Sequence, residues 1–157
     1  MAAQAWKIYA KAKKYIGNGT ITLGAGVFKM CLLRSSATAL GITVLSTRST
    51  WNSIRAAEIN AQGGYLIHGR NIGPATGQWS VGASTKQYKF YYTTAGLIFT
   101  ASGASLVNIR FAVIRNSLTG STGRLLCYCS LSSAAFSITS PNTLTITPNA
   151  SGVFTLA

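Results

Sequence analysis

The sequence predicts a mainly β protein: a single β-sandwich or jelly-roll-like domain, residues 1–157, with a short N-terminal α-helix. Its 157 residues suit one domain, and only three prolines and no repeat of fixed period interrupt them. From residue 20 onward, short runs rich in β-branched and aromatic residues alternate with clusters of Gly, Ser, Asn and Thr, as in sandwiches and barrels. We therefore expect a helix over residues 1–16 and a β-sandwich over residues 20–157.

Two stripes of residues at helical spacing predict the helix. Ile8 and Ala12 lie on an apolar stripe, whereas Lys7, Lys11 and Lys14 recur on another. Like charges at this spacing weaken an isolated helix, so we expect the helix to dock through its apolar stripe. The lysines form either a solvated face or a contact with an acidic partner.

The candidate strands follow from local alternation of apolar and polar residues. Thr20–Leu23 and Val27–Leu33 are predicted to form a hairpin, and residues 35–62 a long loop with the option of a short helix at Trp51–Ile59. In Leu106–Arg115 the apolar residues alternate with more polar ones, which predicts a half-buried strand. The other candidate strands are Tyr65–Ile72, Gln78–Val81, Gln87–Tyr92, Leu97–Thr100, Leu125–Leu131, Thr143–Thr147 and Val153–Leu156.

The composition argues against enzymatic chemistry. The chain has fourteen Lys and Arg residues but one side-chain carboxylate, Glu58, and one histidine, His68. Paired general acids and bases need two such groups, an activated hydroxyl needs a base with its orienting partner, and hard-metal sites need several anionic oxygens. We expect no catalytic residues and no cofactor, and we interpret Glu58 as the structural partner of a buried or half-buried arginine.

The formal net charge of +13 indicates an anionic partner or a large counterion cloud. A protein shell, a nucleic acid and an anionic lipid surface are all consistent with the charge alone. The run from Lys86 to Tyr92 interleaves basic residues and rings, as in single-stranded nucleic-acid binders. However, strand alternation separates Lys89 from the rings of Tyr88 and Phe90, and the arginines are scattered, so we favour an ordinary strand over a nucleic-acid site.

The three cysteines favour buried thiols over a metal site. Cys127 and Cys129 are two residues apart on a predicted strand and therefore share a face. Cys31 and His68 would complete a four-ligand zinc set, but their separations resemble no known zinc motif. No stretch approaches the ~20 apolar residues of a membrane span, and lysines interrupt any secretory signal, so we expect a soluble, unprocessed chain.

An ordered series of short motifs, running nearly from end to end, resembles a family of small tailed-bacteriophage virion proteins. These motifs are Trp6–Tyr9 with Lys11–Gly19, Phe28–Leu32, Glu58–Ile59 with Gly63–Tyr65, Phe99–Gly103, Arg110–Ile114, Leu125–Tyr128 and Asn149–Phe154. The resemblance implies a non-enzymatic structural protein on the phage head, of the decoration or cement type, localised on the capsid surface and made in the host cytoplasm.

On this interpretation the partner is the major capsid protein, and the chain forms a homo-oligomer, for which a trimer would fit the threefold positions of the lattice. We expect Trp6, Lys7, Lys11 and Lys14 to lie at or near the interface, and we expect no membrane or nucleic-acid partner. Two alternatives remain open: a structural component of the tail or a binder of the host surface, and a basic β-barrel that binds nucleic acid.

Overall fold

A computed structural model describes residues 5–72, 79–81, 88–92, 96–117, 123–148 and 152–156, and within these ranges the protein is mainly β. All strand pairs there are antiparallel. The elements are β1 (Lys7–Ile8), α1 (Ala10–Gly17), β2 (Phe28–Arg34), β3 (Arg70–Asn71), β4 (Trp79–Val81), β5 (Tyr88–Phe90), β6 (Leu97–Thr100), β7 (Leu106–Asn116), β8 (Leu125–Ser130), β9 (Phe136–Ile138), β10 (Thr143–Ile146) and β11 (Phe154–Leu156). Short 3₁₀ helices occupy Ser35–Thr38, Trp51–Ser53 and Arg55–Ala57.

The strands of the described ranges form three sheets, and the buried hydrophobic residues of these ranges make up one cluster. The largest has the order β1-β8-β7-β2-β3, with β9 also paired to β7, while β10 pairs with β6 and β11-β5-β4 form the third sheet. The ring of Phe90 joins two of them, because it packs edge-on against Phe28 at 5.2 Å and stacks on Phe154 at 5.2 Å. The Tyr92 hydroxyl donates to the carbonyl of Ile146 at 3.0 Å and so ties the segment after β5 to β10.

The centre of the large sheet is covered on both faces. Consecutive residues of β8 from Leu125 to Cys129 are buried, as are those of β7 from Phe111 to Asn116. The half-buried pattern predicted for Leu106–Arg115 is therefore wrong beyond Arg110. The predicted loop over residues 35–62 explains part of the difference, since its Trp51 is fully buried and packs over Arg115 of β7.

The predicted helix over residues 1–16 is corrected to Ala10–Gly17. Lys7 and Ile8 lie instead on β1, paired with Tyr128 and Cys127 of β8, and the first four residues fall outside the described ranges. Tyr9 has an extended backbone, its N–H donates to Leu126, and its side chain is buried, so a long-range sheet contact overrides the local helical period.

Two strand predictions are also corrected. Residues 20–23 form no strand: Ile21 donates its N–H to the carbonyl of Tyr15 and is buried in a turn that follows the helix. The strand predicted over Tyr65–Ile72 is reduced to Arg70–Asn71, because the backbone turns through positive φ values at His68 and Gly69. Gln78, Lys86 and Gln87, which belong to two predicted motifs, lie outside the described residues.

Candidate functional site

The only side-chain carboxylate of the chain is an internal hydrogen-bond acceptor. Glu58 follows the 3₁₀ helix Arg55–Ala57, forms an isolated bridge with Leu33, and is 6% exposed. Its Oε1 accepts one hydrogen bond from the Tyr65 hydroxyl at 2.7 Å and one from the backbone N–H of His68 at 2.8 Å. Burial raises the pKa of this carboxyl, and the two donors offset part of that effect. Both donors belong to the segment that Glu58 begins, so the carboxylate closes residues 58–68 into a loop.

Arg115 is a buried arginine whose positive charge acts on Glu58. It is 2% exposed, its guanidinium lies 5.2 Å from the centroid of the Trp51 ring, and its Nη2 donates to the carbonyl of His68 at 3.1 Å. Its positive charge lowers the pKa of Glu58, after the larger effects of burial and of the Tyr65 and His68 contacts. The sequence predicts an arginine as the partner of Glu58. In the structure the carboxylate instead takes its hydrogen bonds from the Tyr65 hydroxyl and the His68 backbone N–H.

His68 closes the same cluster from the surface. Its backbone has φ of 74°, and its imidazole is about half exposed, with Nδ1 4.0 Å from Oε2 of Glu58. The groups around it are not activated nucleophiles, because burial raises the pKa of the Tyr65 hydroxyl and raises that of the Cys31 thiol to about 12. The geometry supports a structural role for the cluster.

All three cysteines are buried free thiols, as predicted. Cys127 and Cys129 lie on β8, and burial raises the pKa of both, that of Cys129 to about 12. Across the described ranges, no group of three or more His, Cys, Asp and Glu side chains comes together as a metal site would require. In the same ranges, no helix is long and apolar enough to cross a membrane.

Most of the described cations lie at the surface. Six side chains are exposed and six are half-buried, whereas Arg115 is buried. The exposed set is Lys7, Lys11, Lys13, Lys14, Arg55 and Arg70, and the half-buried set is Lys29, Arg34, Arg48, Lys89, Arg110 and Arg124. Because Glu58 is occupied inside the protein, no side-chain carboxylate of this chain remains to neutralise them.

The four residues predicted to lie at an interface differ in accessibility. Lys7 is exposed on β1, at the end of the large sheet, and Lys11 and Lys14 are exposed on α1. Trp6 is half-buried and packs against the hydrophobic core. The helix docks through Ala12, which is fully buried, so its lysines face outward as the apolar stripe predicted.

A pocket that sequence reasoning missed lies between residues 64–70 and β6. Its volume is about 330 Å³, and Ser102 and Leu106 complete its lining. We call it the β6 pocket. Two large apolar side chains of the lining are exposed, Leu66 at 75% and Ile98 at 43%. The sequence held one signal, the Leu66–Ile67 pair between glycines, but strand alternation alone gave no reason to expose it.

Compared with protein-family models, curated proteins and solved structures, the chain matches none.

Proposed function

We propose that this protein is a non-enzymatic virion structural protein, a decoration or cement protein that binds the major capsid protein of a tailed phage. One observation carries the proposal: the chain's only side-chain carboxylate is sequestered inside, while its surface is cationic. Such a surface lacks internal charge compensation and is complementary to a large anionic assembly. The motif series from Trp6 to Phe154 supplies the class of assembly, a phage head.

The mode of binding follows from charge density. With a net charge of +13 on 157 residues, two copies in solution repel each other, so we expect neighbouring copies to be held together by the shell beneath them. Many copies on one lattice bind as an array, and each then needs only a modest contact area. The exposed side chains of Lys7, Lys11 and Lys14 contribute to that contact, and the half-buried Trp6, which precedes Lys7, packs against the core.

The first test is the number of copies per particle. Particles of a phage that encodes the protein are purified and analysed by quantitative mass spectrometry, with the major capsid protein as the internal standard. Hundreds of copies support a shell protein. A few tens or fewer would indicate the tail instead, and absence from the particle would overturn the proposal.

The second test separates a protein shell from nucleic acid. Purified chain is added to DNA-free capsids that lack it, and to DNA fragments of the same concentration, over a series of salt concentrations. We expect saturable, salt-sensitive binding to the capsids. A gel shift with DNA that matches the capsid affinity would favour the nucleic-acid alternative.

The third test addresses the N-terminal lysines. The double variant Lys11→Glu/Lys14→Glu changes the net charge by the same amount as Arg34→Glu/Arg55→Glu, so the pair forms a matched comparison. We expect the α1 variant to lose capsid binding by about tenfold more than its control. Equal losses would show that net charge, and not this surface, governs binding.

A further inference from the structure

The β6 pocket has the construction of a preformed binding site for one side chain. The ring of Tyr65 forms one wall, and its hydroxyl is fixed on Glu58 by the 2.7 Å hydrogen bond. The ring of Phe99 lies 6.0 Å from that of Tyr65, and Leu106 completes the apolar lining. Because these residues are anchored in the core, a ligand that enters does not have to order them.

The strand beside the pocket has one edge that faces it. β6 pairs only with β10 among the described strands, and the N–H of Ala101 donates to Asn142 on that side. Residues alternate along a strand, so the peptide groups of Ile98 and Thr100 point away from β10 and toward the pocket. The Ile98 carbonyl accepts a hydrogen bond from Nη1 of Arg70 there. Polar groups therefore border an apolar cavity.

The charge at the rim selects the occupant. Arg70 is exposed, and one of its five N–H groups holds Ile98, which leaves others directed to solvent. The imidazole of His68, two residues away, is about half exposed. Since no side-chain carboxylate of this chain is exposed, a second copy would bring only more positive charge to this rim. The complementary occupant is an acidic segment.

We propose that the β6 pocket binds an acidic segment of the partner protein by taking up one of its bulky apolar side chains, with Arg70 pairing with an adjacent carboxylate. A cavity of about 330 Å³ suits a single side chain of the size of Phe or Leu with its backbone. The exposed Leu66 and Ile98 belong to the lining and enlarge the apolar contact. This inference rests on the proposed function, because it assigns one contact with the anionic shell.

Three blocked peptides test the pocket on the full-length protein. They are Asp-Asp-Phe-Asp-Asp, Asp-Asp-Ala-Asp-Asp and Ser-Ser-Phe-Ser-Ser, each acetylated and amidated, titrated into ¹⁵N-labelled protein at low ionic strength. We expect the first to bind most tightly and the loss of the phenyl ring to weaken binding about tenfold or more. The shifted amide signals should centre on Leu66, Ile98 and Phe99. Equal affinity for the Phe and Ala peptides, or shifts confined to α1, would overturn the inference.

Two variants and one control locate the contact. Ser102→Trp places a large side chain at the exposed edge of the pocket, and Arg70→Gln removes the rim charge. We expect about tenfold and about threefold weaker binding of the acidic Phe peptide, with Arg55→Gln unchanged, since Arg55 is exposed elsewhere and matches the loss of charge. Thermal unfolding confirms that each variant is folded. Wild-type affinity in Ser102→Trp would contradict the pocket.

Failure of this inference differs from failure of the proposed function. If the protein is present in hundreds of copies per particle but binds none of the peptides, the proposed function stands and the proposed role of the β6 pocket is wrong. If the protein binds the acidic Phe peptide but is absent from particles, the β6 pocket binds acidic segments and the proposed capsid function is wrong.

Discussion

The hydroxyl of Tyr65 donates a 2.7 Å hydrogen bond to Oε1 of Glu58 and accepts one of 3.1 Å from the backbone N–H of Leu32. It thereby connects the only side-chain carboxylate of the chain to β2, an inner strand of the large sheet. All three residues are buried, so each group left without its partner would lose a hydrogen bond that water cannot replace. A chain with a large excess of positive charge uses its one negative side chain to hold its own backbone.

Tyr65→Phe should destabilise the protein by about 1–3 kcal/mol, because it leaves the buried Leu32 N–H without a partner and removes one of the two donors to Glu58. Urea unfolding followed by circular dichroism measures the change. Tyr91→Phe is the matched control, since Tyr91 is half-buried and forms no hydrogen bond through its hydroxyl with described residues, and it should stay within about 0.5 kcal/mol of wild type. Equal effects of the two substitutions would contradict the role of the Tyr65 hydroxyl.

The pH dependence of stability should run opposite to ordinary acid denaturation. Burial raises the pKa of Glu58 above its ordinary value of 4.5, so the folded state keeps this proton to a higher pH than the unfolded state. The stabilising contribution is complete below pH 4.5 and declines as the pH rises through the folded-state pKa. No other side-chain carboxylate is present to reverse the trend.

Glu58→Gln isolates this contribution. The amide oxygen can still accept from Tyr65 and His68, but it does not ionise, so the decline in unfolding free energy above pH 4.5 should disappear. His68→Gln introduced into both the wild-type and the Glu58→Gln chain removes the neighbouring imidazole from the comparison. If the unfolding free energies of His68→Gln and Glu58→Gln/His68→Gln depend on pH in the same way, the Glu58 carboxyl is not the cause of the pH dependence.

Local patterns are sufficient for the strands whose burial alternates. The sequence predicts β6 with its observed bounds, and in the structure Leu97 and Phe99 point inward while Ile98 and Thr100 are exposed. It misses β1 because two residues, Lys7 and Ile8, are held only by a contact with β8, about 120 residues later. It misses β9 as well: the Phe136–Ile138 segment pairs with β7 across an irregular register and stands in a serine-rich stretch.

The candidate site is only partly predictable, for a related reason. A single carboxylate among cations indicates a structural role, and this holds for Glu58. The sequence contains no signal that a tyrosine hydroxyl and the backbone of residue 68 would be its donors, because those contacts depend on positive φ at His68. The β6 pocket is not predicted because residues 65–69, which are expected to belong to a strand, form an irregular segment that lines it.

Gly69→Ala should be one of the most damaging small substitutions in the chain. A Cβ at Gly69 would lie 2.3 Å from the carbonyl oxygen of Met30 and 2.6 Å from Sγ of Cys31, and φ there is +77°. The backbone strain costs about 1–2 kcal/mol, and the clash with a rigid strand adds about 1–3 kcal/mol, so unfolding midpoints should fall steeply.

Two glycines separate these causes in the same urea experiment. Gly103 has φ of +72° with open space around it, so Gly103→Ala measures the backbone strain alone. Gly17, at the end of α1, has neither restriction, and Gly17→Ala should be neutral or stabilise the helix by up to about 1 kcal/mol. If Gly69→Ala costs no more than Gly103→Ala, the close approach of residue 69 to β2 is not a constraint.

The three thiols should resist alkylation while the protein is folded. Burial raises the pKa of Cys31 and Cys129 to about 12, and that of Cys127 well above its usual range. At about pH 8 the thiols are then overwhelmingly protonated, and none is exposed to the reagent. Intact mass spectrometry after treatment with iodoacetamide should find the native chain unmodified, and the chain unfolded in guanidinium modified three times. Rapid single modification of the native chain would show that one cysteine is reached by local opening, and Tyr65→Phe, which loosens the contact of residues 58–68 with β2, should then accelerate it at Cys31.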